Sequence, residues 1–302
     1  MDRAADMPAL AGVRHHFLHV RGARLHVAEM GDRAAPPVLL LHGWPQHWWS
    51  WRLLMPLLAD RHRVLAMDLR GFGWSEPTPG GYRKAELAED VVGVLDALSI
   101  DRVNLVGHDW GGVVGFLVCL DHPDRVARFV PMNTGHVWPT VSLKGVPKAL
   151  VGLTYQGVLA SPILGRRVNQ SPRVVGKVVD AISRGHDVAA EYAAQFAPRF
   201  ADPDRARAAS QVYRSFLLQE YVPWVRGRYA GRRLSTPTLW LHGLKDPFLT
   251  PGTFKDIARH ADDVRIEYLP EGAHFPAEEC PGAVAEHLRA FFSSAAHSSP
   301  RG

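Results

Sequence analysis

The stretch Val103-Asn104-Leu105-Val106-Gly107-His108-Asp109-Trp110-Gly111-Gly112 constrains the fold of this chain more than any other. An apolar run ends at Gly107, a carboxylate follows two residues later, and two glycines come just after it. Val113, Val114, Phe116 and Leu117 then open a helix-like pattern. The stretch therefore predicts a strand, a sharp turn and a helix, with the reactive side chain of Asp109 at the apex. A residue at such an apex takes a cramped backbone conformation, and small neighbours let strand and helix approach without a clash.

The flanking sequence repeats the alternation. Phe17–Val20 and Leu25–Ala28 read as two short strands around the turn Arg21-Gly22, after a loosely attached start over residues 1–13. Pro37–His42 is a continuous apolar run between turn signals, as expected of a strand covered on both faces. A helix is expected from Ser50 to Leu58 in spite of Pro56, a buried strand over Arg63–Met67, and an amphipathic helix from Lys84 to Leu98 with Leu87, Val91, Val94, Leu95 and Leu98 on its apolar face. Val126–Val130 supplies another strand. Such alternation implies an α/β fold with a largely parallel sheet flanked by helices. Ligands of such sheets bind beyond the carboxyl ends of the strands. His42, Asp68 and Asp109 all stand at those ends.

The alternation stops near Asn133. From Thr134 to about Arg233 no buried-strand run occurs, helix formers dominate, and Pro147, Pro162, Pro172, Pro198 and Pro203 break the stretch. It resumes with a strand at Thr238–His242, a helix over Phe254–Ala261, a strand at Val264–Leu269 and a final helix from about Pro281 to Phe292. The expected organisation is one α/β core in two parts, residues 1–133 and 234–302, with a helical insertion over 134–233 lying above the carboxyl ends of the strands. Lys and Arg number 35 against 30 acidic residues, but they are scattered, so neither nucleic acid nor a membrane surface is an expected partner. Cys119 and Cys280 form no CxxC pair and His15-His16 has no partner at metal-ligand spacing, so no disulfide, metal or other cofactor is expected. Without a long apolar run, the expected location is the cytoplasm.

Three polar positions follow predicted strands in the order acid, acid, histidine: Asp109, then Asp246 after Leu241-His-Gly-Leu-Lys245, then His274 within Glu271-Gly-Ala-His-Phe275. Any one of them has an ordinary structural role, such as helix capping by Asp109. Together, in this order and with the sharp turn, they form a catalytic pattern. The chain resembles the α/β-hydrolase superfamily over nearly all of residues 15–294. Within it, the chain is similar to the epoxide hydrolases and haloalkane dehalogenases, which carry an aspartate nucleophile where other members carry Ser. A carboxylate can displace a leaving group from an sp³ carbon and so become an ester. The resemblance then implies that His274, oriented by Asp246, activates water to cleave that ester, with the backbone N–H groups of Trp44 and Trp110 as oxyanion donors.

His42-Gly43-Trp44-Pro45 resembles the HGxP motif of epoxide hydrolases. In that family two tyrosines of the inserted region hydrogen-bond the epoxide oxygen. Tyr213, in Val212-Tyr-Arg-Ser-Phe216, and Tyr155, in Thr154-Tyr-Gln156, match those segments, with Tyr221 in reserve. The resemblance implies a cofactor-free hydrolase acting on a small apolar epoxide with water. The competing readings are a haloalkane dehalogenase on the same triad, a carboxylic-ester hydrolase, disfavoured because no Ser occupies the apex, and a catalytically silent ligand binder. Asp68-Leu-Arg-Gly-Phe-Gly73 is expected to form a structural turn beside the site, and His108 a packing or supporting contact.

Overall fold

A computed structural model of the chain describes residues 6–139, 154–184, 188–254 and 256–294. Eight strands run as β1 (Arg14–Val20), β2 (Ala23–Met30), β3 (Pro37–Leu41), β4 (Arg63–Met67), β5 (Val103–His108), β6 (Val126–Met132), β7 (Thr238–Gly243) and β8 (Val264–Leu269). They pair in the order β1-β2-β4-β3-β5-β6-β7-β8, antiparallel from β1 to β4 and parallel across the rest. The mostly parallel sheet matches the expectation from alternation.

The continuous apolar runs follow from a sheet buried on both faces. In β3, Leu39 and Leu41 join one core layer with Leu65, Met67 and Leu105. Val38 and Leu40 join the opposite layer with Val64, Ala66, Val106 and Val130. Side chains alternate faces with period two, so both phases must be apolar. Each such fully buried aliphatic side chain contributes about 1.5–3 kcal/mol.

Helix α1 (Lys84–Ala97) turns Leu87, Val91, Val94 and Leu95 inward. Its start is capped by Glu86, whose carboxylate accepts from the Arg83 N–H at 3.0 Å. Helix α2 (Trp110–Asp121) is buried from Trp110 through Leu120 and ends at His122-Pro123, as proline requires. Between β6 and β7 the regular elements among the described residues are helical, among them a stretch over 154–160, α3 (Leu164–Asn169), α4 (Pro172–Ser183), α5 (Pro203–Ser215) and α6 (Tyr221–Val225). A π-helical turn, Phe216–Glu220, joins α5 to α6. Helix α7 (Pro281–Ser293) closes the fold.

Three expectations are corrected. The helix over 50–58 is a 3₁₀ turn, Trp48–Trp51, followed by one helical turn, Met55–Leu58. Pro56 has no N–H to give an earlier carbonyl and is tolerated only in a first turn. The helix over 254–261 is reduced to the 3₁₀ turn Ile257–Arg259. Its end is captured by Leu234, which accepts from Asp262 N at 3.0 Å and donates to His260 O at 2.8 Å. The start of the chain is attached from Met7 on, since Met7, Leu10 and Val13 pack on the second core layer; residues 1–5 lie outside the described residues. Among the described residues, no helix is long and apolar enough to cross a membrane.

Candidate active site

The apex between β5 and α2 is occupied by Asp109, with φ 49° and ψ −121°. This is a left-handed conformation that costs an ordinary residue about 1–3 kcal/mol. It persists because the neighbours enforce it. A Cβ on Gly107 would lie 2.4 Å from the Gly111 carbonyl oxygen, and one on Gly111 would lie 2.2 Å from the Leu41 carbonyl oxygen. Only glycine lets α2 start this close to β3 and β5. The Thr134 hydroxyl donates to the Asp109 carbonyl at 2.6 Å and fixes the turn from the β6 side.

The Asp109 carboxylate is half-buried and accepts from two backbone N–H groups. Trp44 N–H donates to Oδ1 at 2.9 Å, and Trp110 N–H also donates to the carboxylate. Burial lifts the Asp109 carboxyl above its ordinary range, while His274 and the two N–H donors pull the other way.

Asp246 follows β7 and His274 follows β8. His274 Nδ1 lies 2.8 Å from Asp246 Oδ2. Asp246 Oδ1 accepts from Phe248 N at 2.8 Å and Leu249 N at 3.0 Å. Burial opposes ionisation of Asp246, but His274, Asn133 and the loop N–H groups outweigh it and hold the carboxyl well below the usual range. Burial likewise opposes protonation of His274. The Asp246 carboxylate, with Asp109 and Glu279 further off, reverses this and raises the imidazole to about 9. His108, held down to about 3 by burial, is neutral and bonds through Nε2 to the His274 carbonyl at 2.7 Å.

Above these groups stand Tyr155, in the 154–160 helix, and Tyr213, on α5. Trp44 meets the two rings edge-on at 5.9 and 6.1 Å, and the tyrosine rings lie 6.2 Å apart. Burial pushes both hydroxyls well above 10, and Tyr213 donates to the Tyr155 oxygen. Trp110 packs edge-on against Tyr213 at 5.2 Å. Asp109, Asp246, His274, Trp44, Trp110, Tyr155 and Tyr213 are thus brought together. Tyr221 instead packs against Phe216. Asp68 accepts from Trp48 N, Trp74 N and His26 Nδ1 at 2.6, 2.8 and 2.7 Å, tying the β4 loop to β2. His15 bonds His26 and His16 pairs with Glu29. Among the described residues no cluster of three or more His, Cys, Asp or Glu could hold a metal ion.

Sequence reasoning missed Asn133, which it marked only as the end of the alternation. Its Nδ2 donates to Asp246 Oδ2 at 2.8 Å and to the Ala273 carbonyl at 2.9 Å, and its Oδ1 accepts from Gly243 N at 2.9 Å. One side chain thereby locks the β7 and β8 ends together. A signal was present: Asn133 follows a buried strand, and Asn tolerates the left-handed backbone it adopts, φ 36°. Asn133→Ala is expected to cost about 2–4 kcal/mol in urea unfolding, because three buried partners lose their bonds at once. A change below about 0.5 kcal/mol, the ordinary size for an uninvolved position, would contradict that role. Asn169, also missed, accepts from Trp44 Nε1 at 2.7 Å and ties the loop after β3 to α3.

The family model described as alpha/beta hydrolase fold matches residues 36–281. Epoxide hydrolase 2 of Siraitia grosvenorii is 40% identical over 145 residues, which are 46% of this chain and 45% of that one, so the match spans less than half of that relative. The AB hydrolase superfamily protein YfhM of Bacillus subtilis is 26% identical over 282 residues, 90% of this chain and 96% of that one. A solved structure from Pseudomonas aeruginosa, provisionally described as an epoxide hydrolase, superposes with a TM-score of 0.80 at 30% identity, covering 95% of this chain and 97% of that one.

Proposed function

Because the chain belongs to the alpha/beta hydrolase fold family, we propose that it is a hydrolase that opens epoxides to vicinal diols through an ester formed on Asp109. The observation that carries this reading is the target of the two oxyanion donors. Trp44 N–H and Trp110 N–H are aimed at the Asp109 carboxylate itself. The carbonyl whose oxygen they would stabilise is therefore that of an Asp109 ester.

In the first step an Asp109 oxygen attacks an epoxide carbon, and the ring C–O bond breaks. The leaving oxygen receives hydrogen bonds, and then a proton, from the pair Tyr155 and Tyr213. In the second step His274 takes a proton from water, and the hydroxide adds to Cγ of Asp109. The resulting oxyanion sits on the Trp44 and Trp110 N–H groups. The intermediate collapses by expelling the diol oxygen, which takes the proton back from His274, and Asp109 returns as the acid with one oxygen from water. Passage of that proton to the tyrosinate left by the first step restores the Asp109 carboxylate and the tyrosine pair. Ester formation also readies the base. It removes the Asp109 charge, one of the influences that raise His274, so the imidazole becomes easier to deprotonate when it must accept a proton.

In this reading residues 134–233 form the cap over a core of residues 1–133 and 234–302, and the tyrosines make the cap part of the chemistry. The substrate is small and apolar, in keeping with the Trp44, Trp110 and Phe248 surfaces around the two tyrosines. Relatives described as epoxide hydrolases support the substrate class.

One observation favours a second reading, haloalkane hydrolysis. Trp110 Nε1–H is buried without a hydrogen-bond partner and could hold a halide. Diol formation from styrene oxide and halide release from 1-bromobutane separate the two. Diol should form at least about tenfold faster, and Tyr213→Phe should slow it about 100-fold, the scale of one proton donor. Halide release without diol would overturn the epoxide reading. A halide leaves without a proton, so a haloalkane reaction untouched by Tyr213→Phe would mark the second reading as correct.

A further inference from the structure

Lys84, the first residue of α1, is fully buried, and none of the chemistry above uses it. Its ammonium lies 4.5 Å from the centre of the Trp110 ring and 5.4 Å from that of Phe216. It donates to the Val212 carbonyl, one residue before Tyr213, and to Ser215 Oγ at 3.2 Å. Its counter-ion is Glu220, buried at the end of the π-helical turn. Glu220 Oε2 stands 3.2 Å from Lys84 Nζ, and Oε1 accepts the Lys84 backbone N–H at 2.8 Å. One carboxylate thus caps α1 from the other side of the site and neutralises the lysine. Burying a charged pair is costly unless geometry and hydrogen bonds compensate. Here the cation binds the last turn of α5 at the level of Tyr213 and occupies the face of the tryptophan next to Asp109.

The Trp110 indole N–H is directed toward the Tyr213 oxygen but falls short of hydrogen-bond geometry. A cation on a ring face draws electron density from the ring and makes its edge hydrogens more positive. The contacts therefore run in a line: Lys84 to the Trp110 face, Trp110 N–H to the Tyr213 oxygen, Tyr213 O–H to Tyr155. We propose that Lys84 is a positioning residue for ring opening: it holds Tyr213 over Asp109 and, by polarising Trp110, makes the tyrosine pair a stronger donor to the leaving oxygen. The assignment rests on the epoxide-opening reading, and its physical part can be tested apart from it.

The charged groups facing Lys84 are Glu220, Asp109 and Glu86, all of which favour the ammonium. Burial outweighs them and lowers Lys84 to about 8. The cation is therefore present at pH 7 and lost as pH rises through about 8. The first test uses the whole chain labelled with ¹⁵N at the tryptophan indoles, with the Trp110 signal identified by its loss in Trp110→Phe. That N–H resonance should move upfield as pH passes through about 8 in the wild type. It should stay in place in Lys84→Met/Glu220→Gln, where both charges are gone and the residue-220 amide oxygen can still accept the residue-84 N–H. If the double variant does not fold, Glu220→Gln alone serves. Losing its counter-ion, Lys84 should release its proton at lower pH, and the resonance should move earlier. A Trp110 resonance indifferent to pH, or one that moves equally in the variants, would overturn the proposal.

The second test is single-turnover ester formation from styrene oxide at pH 7. In Lys84→Met/Glu220→Gln it should slow about tenfold, the size of one desolvated cation–π contact. Hydrolysis of the ester should keep its wild-type rate. In a Trp110→Phe background, which keeps a ring but has no indole N–H, removing the pair should cost far less. Equal loss in both steps, or the same loss in that background, would reduce Lys84 to a merely structural role. If the wild type opens no epoxide, the reading of the reaction falls, and the indole resonance alone decides the proposal about Lys84.

Discussion

Asp109→Ala is expected to lower diol formation from epoxides by on the order of 10⁵ or more, because no other group is placed to accept the alkyl carbon. The folded protein should survive the change. Asp109 is raised in pKa by burial, which means the fold disfavours its charged form. A group of this kind destabilises the native state at pH values where it is ionised in both states. The variant should therefore unfold in urea at a midpoint no lower than that of the wild type. Enzymes often carry such strain where reactivity needs it. A wild-type single turnover in heavy-oxygen water supplies the positive half of the experiment, since label should appear in the Asp109 peptide and not go directly into product. Direct labelling of the diol would mean that water attacks the epoxide without an ester, and Asp109 would then be a base.

His274→Gln is expected to separate the two steps. Alkylation needs only the carboxylate and the tyrosine pair, so the peptide carrying Asp109 should gain the mass of the substrate within one turnover. Hydrolysis of that ester should fall by on the order of 10³–10⁴ for want of a base. The pH dependence carries the sign. Asp109 as a neutral ester no longer raises His274, so the imidazole of the ester form titrates below the value of about 9 found with Asp109 charged. Wild-type ester hydrolysis should rise with pH up to that lower value and then level off, whereas the variant should show no such rise. An unmodified Asp109 peptide in the variant, incubated with epoxides and haloalkanes alike, would return the chain to the class of silent binders if the wild type were inert as well.

The parts of the site that were legible in the sequence share a physical cause. Asp109, Asp246 and His274 stand where apolar strands end, and a parallel sheet brings such ends to one edge whatever lies between them. The glycines around Asp109 were legible for a related reason, because a turn this tight excludes side chains. The tyrosines needed the resemblance as well, since Tyr155 and Tyr213 sit on helices whose packing no local pattern encodes. Lys84 and Glu220 escaped notice because each looks like an ordinary exposed charge in its own helix, and only the fold brings them together. Asn133 escaped because its three partners come from elsewhere in the chain. The helix expected over 254–261 failed for the converse reason: a bridge to the distant Leu234 took over its end.

Strands β6 and β7 are neighbours, with Phe129 beside Thr238 and Met132 beside Leu241. The long excursion between them leaves the sheet at the C-terminal end of β6 and returns at the N-terminal end of the neighbouring parallel strand β7. Closing a longer or shorter loop between two fixed ends changes the free energy only logarithmically with length. The opposite holds on the other side of Asp109. There Leu41 is in register with Gly107, and Trp44 follows three residues on. One residue gained or lost there would carry the Trp44 N–H away from the carboxylate. Length is thus weakly constrained in the loops between the helices that bear the tyrosines and tightly constrained in the segment that bears the Trp44 N–H. Insertions and deletions in those loops can reshape the surroundings of the two tyrosines without disturbing the contact between Trp44 and Asp109.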